Sequence, residues 1–293
     1  MNYNLASVIE REISPMRHDD YFKNVRDKLN IDRAAFIERN LRQALLDDAF
    51  FLRYQPQVNM YTGEVVGAEA LVRWNLNGNI IHPGEFIPVA EKSGLIVQVG
   101  EWVLREACRE AKRWQLMGLG GEQGLKIDVN LSVKQLLDGF PDVIQRVLSN
   151  TGLETRLLGL EITESIFADR DSMAVLHALK KNGIHLSIDD FGTGYSCLSQ
   201  LKNLPLNTIK IDRTFVMDLG HEDISSVVVE TIINLAHKLK MDTVAEGVET
   251  KEQAEILKKM GCAVCQGFLY SKPLPADDFL QFARKYRILS KSN

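Results

Sequence analysis

The chain has 293 residues, 45% of them hydrophobic and 25% charged, and a formal net charge of −4. That is ordinary globular composition with length enough for one sizeable core or two small domains. It supplies no basic balance for a nucleic-acid polymer and no apolar run long enough to span a bilayer, and its four cysteines do not make a disulfide framework.

Residues 1–30 carry many charges and little periodicity, which predicts a linker or the stub of a longer chain. The opening M-N-Y-N-L-A-S-V-I-E-R-E lacks a basic-then-apolar leader pattern. The expectation is a cytoplasmic protein, or the cytoplasmic part of a longer, membrane-anchored one. From Asp32 the pattern sharpens, and residues 31–290 are predicted to form one domain. A helix places Phe36, Leu41, Ala44 and Leu45 on one face. Phe50 to Val58 reads as a strand, Tyr61 to Glu64 as its turn, and V-V-G-A-E-A-L-V-R-W as a second, antiparallel strand. Helices and strands then alternate: a helix from Val97 to Leu116, strands Leu125–Ser132 and Leu157–Glu164, and a helix from Asp171 to Lys181 capped by Asp171 or Ser172. Next come a strand through G-I-H-L-S-I-D-D, a strand Leu206–Asp212, a helix Ile224–Lys240 and a strand Met241–Gly247. Thr250 to Gln253 is a capping box opening another helix. Gly261 to Phe268 is the last strand, and a helix follows from about Pro275 to Tyr286. About eight strands, most of them nearly continuous apolar runs as buried parallel strands are, predict an α/β protein with a TIM-like (β/α)8 barrel. An open doubly wound sheet is the alternative.

Strand after strand ends in a polar residue: Glu69, Asn130, Glu161, Asp189 with Asp190, Lys210 with Asp212, Glu246 and Gln266. In a barrel these ends converge on one rim, the face that carries active sites. Crowded carboxylates repel each other and lose hydration, at a cost of several kcal/mol per buried ion. Lys210 is one charge against several, so something further positive must compensate, and a divalent metal is the economical solution. Asp and Glu oxygens with an Asn carbonyl are hard ligands that suit Mg2+ or Mn2+ over zinc. The strand is expected to end at Asp189, which frees Asp190 from the alternation and lets adjacent carboxylates serve two cations roughly 3.5–4 Å apart, the common device for phosphoester hydrolysis.

The glycines of F-G-T-G-Y-S do not make a dinucleotide fingerprint, because Cys197 stands where the third glycine would. They are read as a mobile loop that lets backbone pass near the metals. Cys262 and Cys265 form a C-x-x-C without a second pair and are read as core residues. G-G-E-Q-G, Gly120 to Gly124, faintly resembles a cyclase signature but lacks its acidic pair.

At these residues the sequence closely resembles the EAL-domain family of cyclic di-GMP phosphodiesterases. The motifs are E-A-L-V-R-W (Glu69 to Trp74), Y-Q-P, V-N-L-S, L-E-I-T-E-S, D-D-F-G-T-G-Y-S, I-K-I-D, A-E-G-V-E-T and Q-G-F-L-Y-S-K-P, in the family's order from about residue 33 to 287. The resemblance implies a barrel whose first strand is antiparallel and hydrolysis of one bond of cyclic di-GMP to linear pGpG. It implies that Glu69, Asn130, Glu161 and Asp189 ligate one metal and that Asp189 and Asp190 serve a second. Lys210 and Glu246 would hold and activate the attacking water. Gln55, Leu71, Arg73, Asp212, Gln266 and Pro273 would line the ligand pocket, and Glu164 would hold the loop from Asp190 to Tyr195. A homodimer is also implied. The rival reading is a non-catalytic cyclic di-GMP receptor module, to which some relatives have turned after losing ligands.

Overall fold

The computed structural model describes residues 32–137, 139–169, 172–192, 201–220 and 223–290. The expected stub at 1–30, and Tyr195 and Cys197 of the glycine loop, lie outside them.

The first described helix, α1 (residues 32–44), buries Ile37, Leu41 and Ala44. These stand four and three residues apart, as one helical face requires. Phe36, placed on that face from sequence, is exposed instead, because its spacing of five from Leu41 turns it to the side. Strands follow as β1 (Phe50–Asn59), β2 (Val65–Leu76), β3 (Asn79–Ile81), β4 (Lys126–Leu131), β5 (Leu158–Thr163), β6 (His185–Phe191), β7 (Thr208–Ile211), β8 (Asp242–Ala245) and β9 (Val264–Cys265). Their order around the sheet is β1-β9-β8-β7-β6-β5-β4-β2-β3, and β1 also pairs with β2. All but β3 therefore close a barrel. The first strand runs antiparallel to both neighbours, while the pairs from β2–β4 round to β8–β9 are parallel.

Two elements escape the sequence reading. β2 runs past the rim and folds back as β3 through Asn77 and Gly78, both in the left-handed region at φ 52° and 85°. Asn-Gly is the residue pair such a turn needs. The helix α2 (Pro83–Ser93) begins on a proline, where the missing N–H costs nothing, and tolerates Pro88 inside while burying Phe86 and Ala90. Next come α3 (Ile96–Leu116) and α4 (Phe140–Thr151), then α5 (Ser172–Lys181), α6 (Arg213–Met217), α7 (Asp223–Lys238), α8 (Lys251–Lys259) and α9 (Ala276–Ser290). Thr250 and Gln253 make the expected capping box at α8.

The antiparallel start splits β1 into two faces. Phe50 and Tyr54 point outward, Phe50 against Trp74, Phe86 and Trp102, and Tyr54 against Trp114 and Phe279. Gln55 and Gln57 alternate with them and face the bore, opposite Glu69 and Gly67. Cys262 and Cys265 are buried free thiols, as read. No helix among the described residues is long and apolar enough to cross a membrane.

The chain after β9 folds tightly onto Val248. A Cβ added at Gly267 would lie 2.1 Å from the Val248 carbonyl oxygen and 2.3 Å from its nitrogen. Gly267→Ala should therefore cost about 1–3 kcal/mol in a denaturant melt; an unchanged midpoint would contradict this close approach.

Candidate active site

Register brings the polar residues to one mouth. Asn130 on β4 stands beside Glu161 on β5, Thr163 beside Asp189 on β6, and Gln55 opposite Glu69. Lys210 rises from β7 into their midst and is 1% exposed. Its Nζ lies 2.6 Å from Glu161 Oε2, 2.7 Å from Glu246 Oε1, 3.0 Å from Asp189 Oδ1 and 3.6 Å from Glu69 Oε2. Two amides complete the ring. Asn130 Nδ2 donates to Glu69 Oε1 at 2.6 Å, and Gln266 Nε2 donates to Glu69 Oε2 at 2.6 Å and to Glu246 Oε1 at 2.8 Å.

One ammonium does not neutralise four carboxylates, and the protonation states reflect that. Burial alone would lower the Lys210 pKa, but Glu161, Glu246, Glu69 and Asp189 outweigh it and hold the amine well above the usual lysine range. Burial lifts Glu161 well above the carboxylate range against the pull of Lys210. Burial likewise pushes Glu246 up to about 8. Both shifts favour the protonated form where the lysine leaves negative charge over.

Asp189 and Asp190 differ from the expectation. The strand does not stop at Asp189. It continues to Phe191 through a shift of register between Ile188 and Phe191, with Asp190 at φ 53°. A bulge, not a strand end, breaks the alternation and lets both neighbours reach the same mouth. Burial, then the charge of Asp189 and a hydrogen bond with Asp212, lift Asp190 to about 6. Burial opposes ionisation of Asp212 too, but hydrogen bonds from Thr214 win and hold it below its ordinary value. Asp212 caps α6, accepting from the Thr214 amide at 2.9 Å. Glu164 Oε1 accepts the Gly192 amide at 2.9 Å and so clasps the chain just after Asp190. At the β1–β2 mouth Gln55, Leu71, Arg73 and Pro273 are half-buried. Arg73 donates to the Val72 carbonyl at 2.8 Å, and Leu274 pairs with Tyr54, which sets Pro273 next to the strand of Gln55. Gln266, expected to line the ligand pocket, sits inside the ring as a donor to its carboxylates. A groove of about 660 Å³ opens alongside, walled by Leu71, Ile87 and Val99 and reaching Asn130 and Glu161.

The donor set fits a hard divalent cation. Carboxylate oxygens of Asp189, Asp190 and Glu246 lie within 4.8 Å of one another. Glu161 Oε1 and Asp189 Oδ1 are buried without a hydrogen-bond partner, the latter despite its contact with Lys210. Buried anionic oxygens in that condition are the ones a cation would satisfy. The sequence reading passed over Gln57 and Asp128, polar residues beneath the ring; their signal is a polar side chain at an inward position of an otherwise apolar strand.

The sequence profile described as EAL domain matches residues 38–273. MucR of Pseudomonas aeruginosa, named a bifunctional diguanylate cyclase/cyclic di-GMP phosphodiesterase, is 45% identical over 245 residues, 82% of this chain and 35% of that protein. PdeR of Escherichia coli, named a cyclic di-GMP phosphodiesterase, is 37% identical over 86% of this chain and 38% of its own length. The chain thus spans well under half of the curated relatives it matches. Among solved structures, the MucR phosphodiesterase in its c-di-GMP complex has a TM-score of 0.76 at 45% identity, covering 83% of this chain and 99% of that one. The EAL enzyme Bd1971 with cAMP and cyclic-di-GMP has a TM-score of 0.82 at 29% identity, covering 97% and 77%.

The ring gives metal-free stability a definite pH dependence. Glu246 titrates near 8 when folded and near the ordinary carboxylate value, about 4.3, when unfolded. The folded state binds the extra proton between those limits, so this contribution is full below the lower value and is lost as pH rises through the upper. The melting midpoint in chelator should fall from pH 5 to 9, and Glu246→Gln should shrink that slope; a variant retaining the whole slope would show that another group is responsible.

Proposed function

The chain belongs to the EAL domain family, and from that premise we propose that it hydrolyses one phosphodiester bond of cyclic di-GMP to give linear pGpG. The observation that carries the reading is the complete ring at one barrel mouth: Glu69, Asn130, Glu161, Asp189 and Asp190 around Lys210 and Glu246. In the proposal Glu69, Asn130, Glu161 and Asp189 hold one Mg2+ or Mn2+, and Asp189 with Asp190 a second. Bound there, the cations supply neutralisation of the donor set and Lewis-acid activation of water at phosphorus.

The chain's own groups do the rest. Lys210 keeps its proton among the carboxylates and orients the attacking water by hydrogen bonds. Ionised Glu246, the form that nearby positive charge favours, accepts the proton which the water sheds. Arg73 presents a guanidinium fork to a phosphate. Gln55, Leu71, Asp212, Gln266 and Pro273 border the bound dinucleotide. Glu164, through Gly192, fixes the chain that carries Asp190. A homodimer belongs to the same proposal, and the exposed Ile224 and Val227 of α7 offer it an apolar face.

Incubation with cyclic di-GMP and Mg2+ or Mn2+ should yield pGpG. Glu69→Ala should abolish turnover, and Glu246→Gln should keep binding but lower kcat by about 100- to 10,000-fold. Bound but unchanged dinucleotide under both metals would replace this reading with that of a non-hydrolysing receptor. Near-normal turnover by Glu69→Ala would remove the metal assignment.

A further inference from the structure

Beneath the ring the bore is not apolar. Gln57 on β1 and Asp128 on β4 are 2% and 1% exposed, and Gln266 above them is 4% exposed. Gln57 Nε2 donates to Asp128 Oδ2 at 2.9 Å and, over a longer 3.4 Å, to Gln266 Oε1. Lys126 Nζ stands 3.3 Å from Asp128 Oδ2. Gly159 on β5 leaves the room this carboxylate needs, since a Cβ there would meet Asp128 Oδ1 at 1.8 Å. A buried ion is costly, so a further carboxylate one layer below an already anionic ring calls for a reason.

We propose that Asp128 is a positioning residue which sets the orientation of the ring carboxylates through Gln57 and Gln266. An amide can face a neighbour with either end, but a carboxylate only accepts. Asp128 therefore obliges Gln57 to turn Nε2 toward it. The second hydrogen of that nitrogen is directed to Gln266 Oε1, which leaves Gln266 Nε2 for Glu69 and Glu246. Turned the other way, Gln266 would set an oxygen 2.6 Å from Glu69 Oε2 and 2.8 Å from Glu246 Oε1, where both neighbours are acceptors. One fixed acceptor thus imposes the direction of two successive amides and holds the carboxylates that the proposed hydrolysis uses. The kinetic part of this inference rests on that function; the cation-binding part does not.

The test reverses the direction while keeping the atoms. In Asp128→Asn/Gln57→Glu the number of heavy atoms and the net charge are conserved, while the two hydrogen bonds from Gln266 Nε2 to Glu69 and Glu246 are lost. The acceptor-only residue is now at position 57, which draws Gln266 Nε2 down and turns its oxygen toward Glu69 and Glu246. We expect a cooperative metal-free melt at a midpoint below that of the wild type, since two acceptors now face the Gln266 oxygen. We also expect a kcat on cyclic di-GMP lower by about 10- to 100-fold at nearly constant KM, and a weaker midpoint for the Mn2+-induced thermal shift. A folded double variant with wild-type kcat and wild-type Mn2+ midpoint overturns the proposal. If the double variant shows no cooperative melt, Asp128→Asn decides: its amide no longer imposes a direction, so it should melt normally yet lose activity and Mn2+ affinity, and wild-type values in both would overturn the proposal. If the wild-type chain does not hydrolyse cyclic di-GMP, the proposed function falls, and the Mn2+ midpoints alone judge the role of Asp128.

Discussion

A buried ammonium within 3.6 Å of four carboxylates sets the terms for the upper half of this barrel. The lysine cannot leave without stranding anions, and the anions cannot all ionise around a single cation. Burial answers the crowding by raising the proton affinity of Glu161 and Glu246. Under the proposed function, a divalent cation entering such a ring would meet groups already aimed at it. The same crowding that costs stability would then favour hard cations.

The fold supplies the crowding. Parallel strands deliver their ends to one mouth, and side-chain alternation turns every second residue into the bore. The antiparallel β1 adds Gln55 and Gln57 to that bore while its other face anchors Phe50 and Tyr54 in the aromatic layer under α3 and α9. Below the ring, Asp128 and Gln57 carry the polar character deeper than a barrel core usually allows. Above it, the bulge at Asp190 and the grip of Glu164 on Gly192 hold a single neighbouring carboxylate in a backbone shape that non-glycine residues seldom adopt.

Much of this was legible in the sequence, and the exceptions have physical causes. The β1–β2 hairpin, the closing barrel and the polar strand ends follow from periodicity and from the turn at Tyr61 to Glu64. The capping box at Thr250 was readable because both partners are local. α2 was hidden by Pro83 and Pro88, which argue against a helix unless one sits at its first position. β3 is three residues long, too short for a pattern, though Asn77-Gly78 announced its turn. The bulge at Asp190 could not be read, since nothing local distinguishes a strand that ends from one that shifts register. Nor could the hydrogen bonds from Gln266 to the ring be read: its partners, Glu69 and Glu246, are 197 and 20 residues away.

If Lys210 holds the carboxylate ring together without metal, a bound divalent cation should take over that duty. This is tested most directly by the unfolding free energy of Lys210→Met beside the wild type, in chelator and in saturating Mg2+. The variant should be less stable by about 3–5 kcal/mol in chelator, and the deficit should shrink when the cation is added. A metal-free Lys210→Met as stable as the wild type would contradict the account.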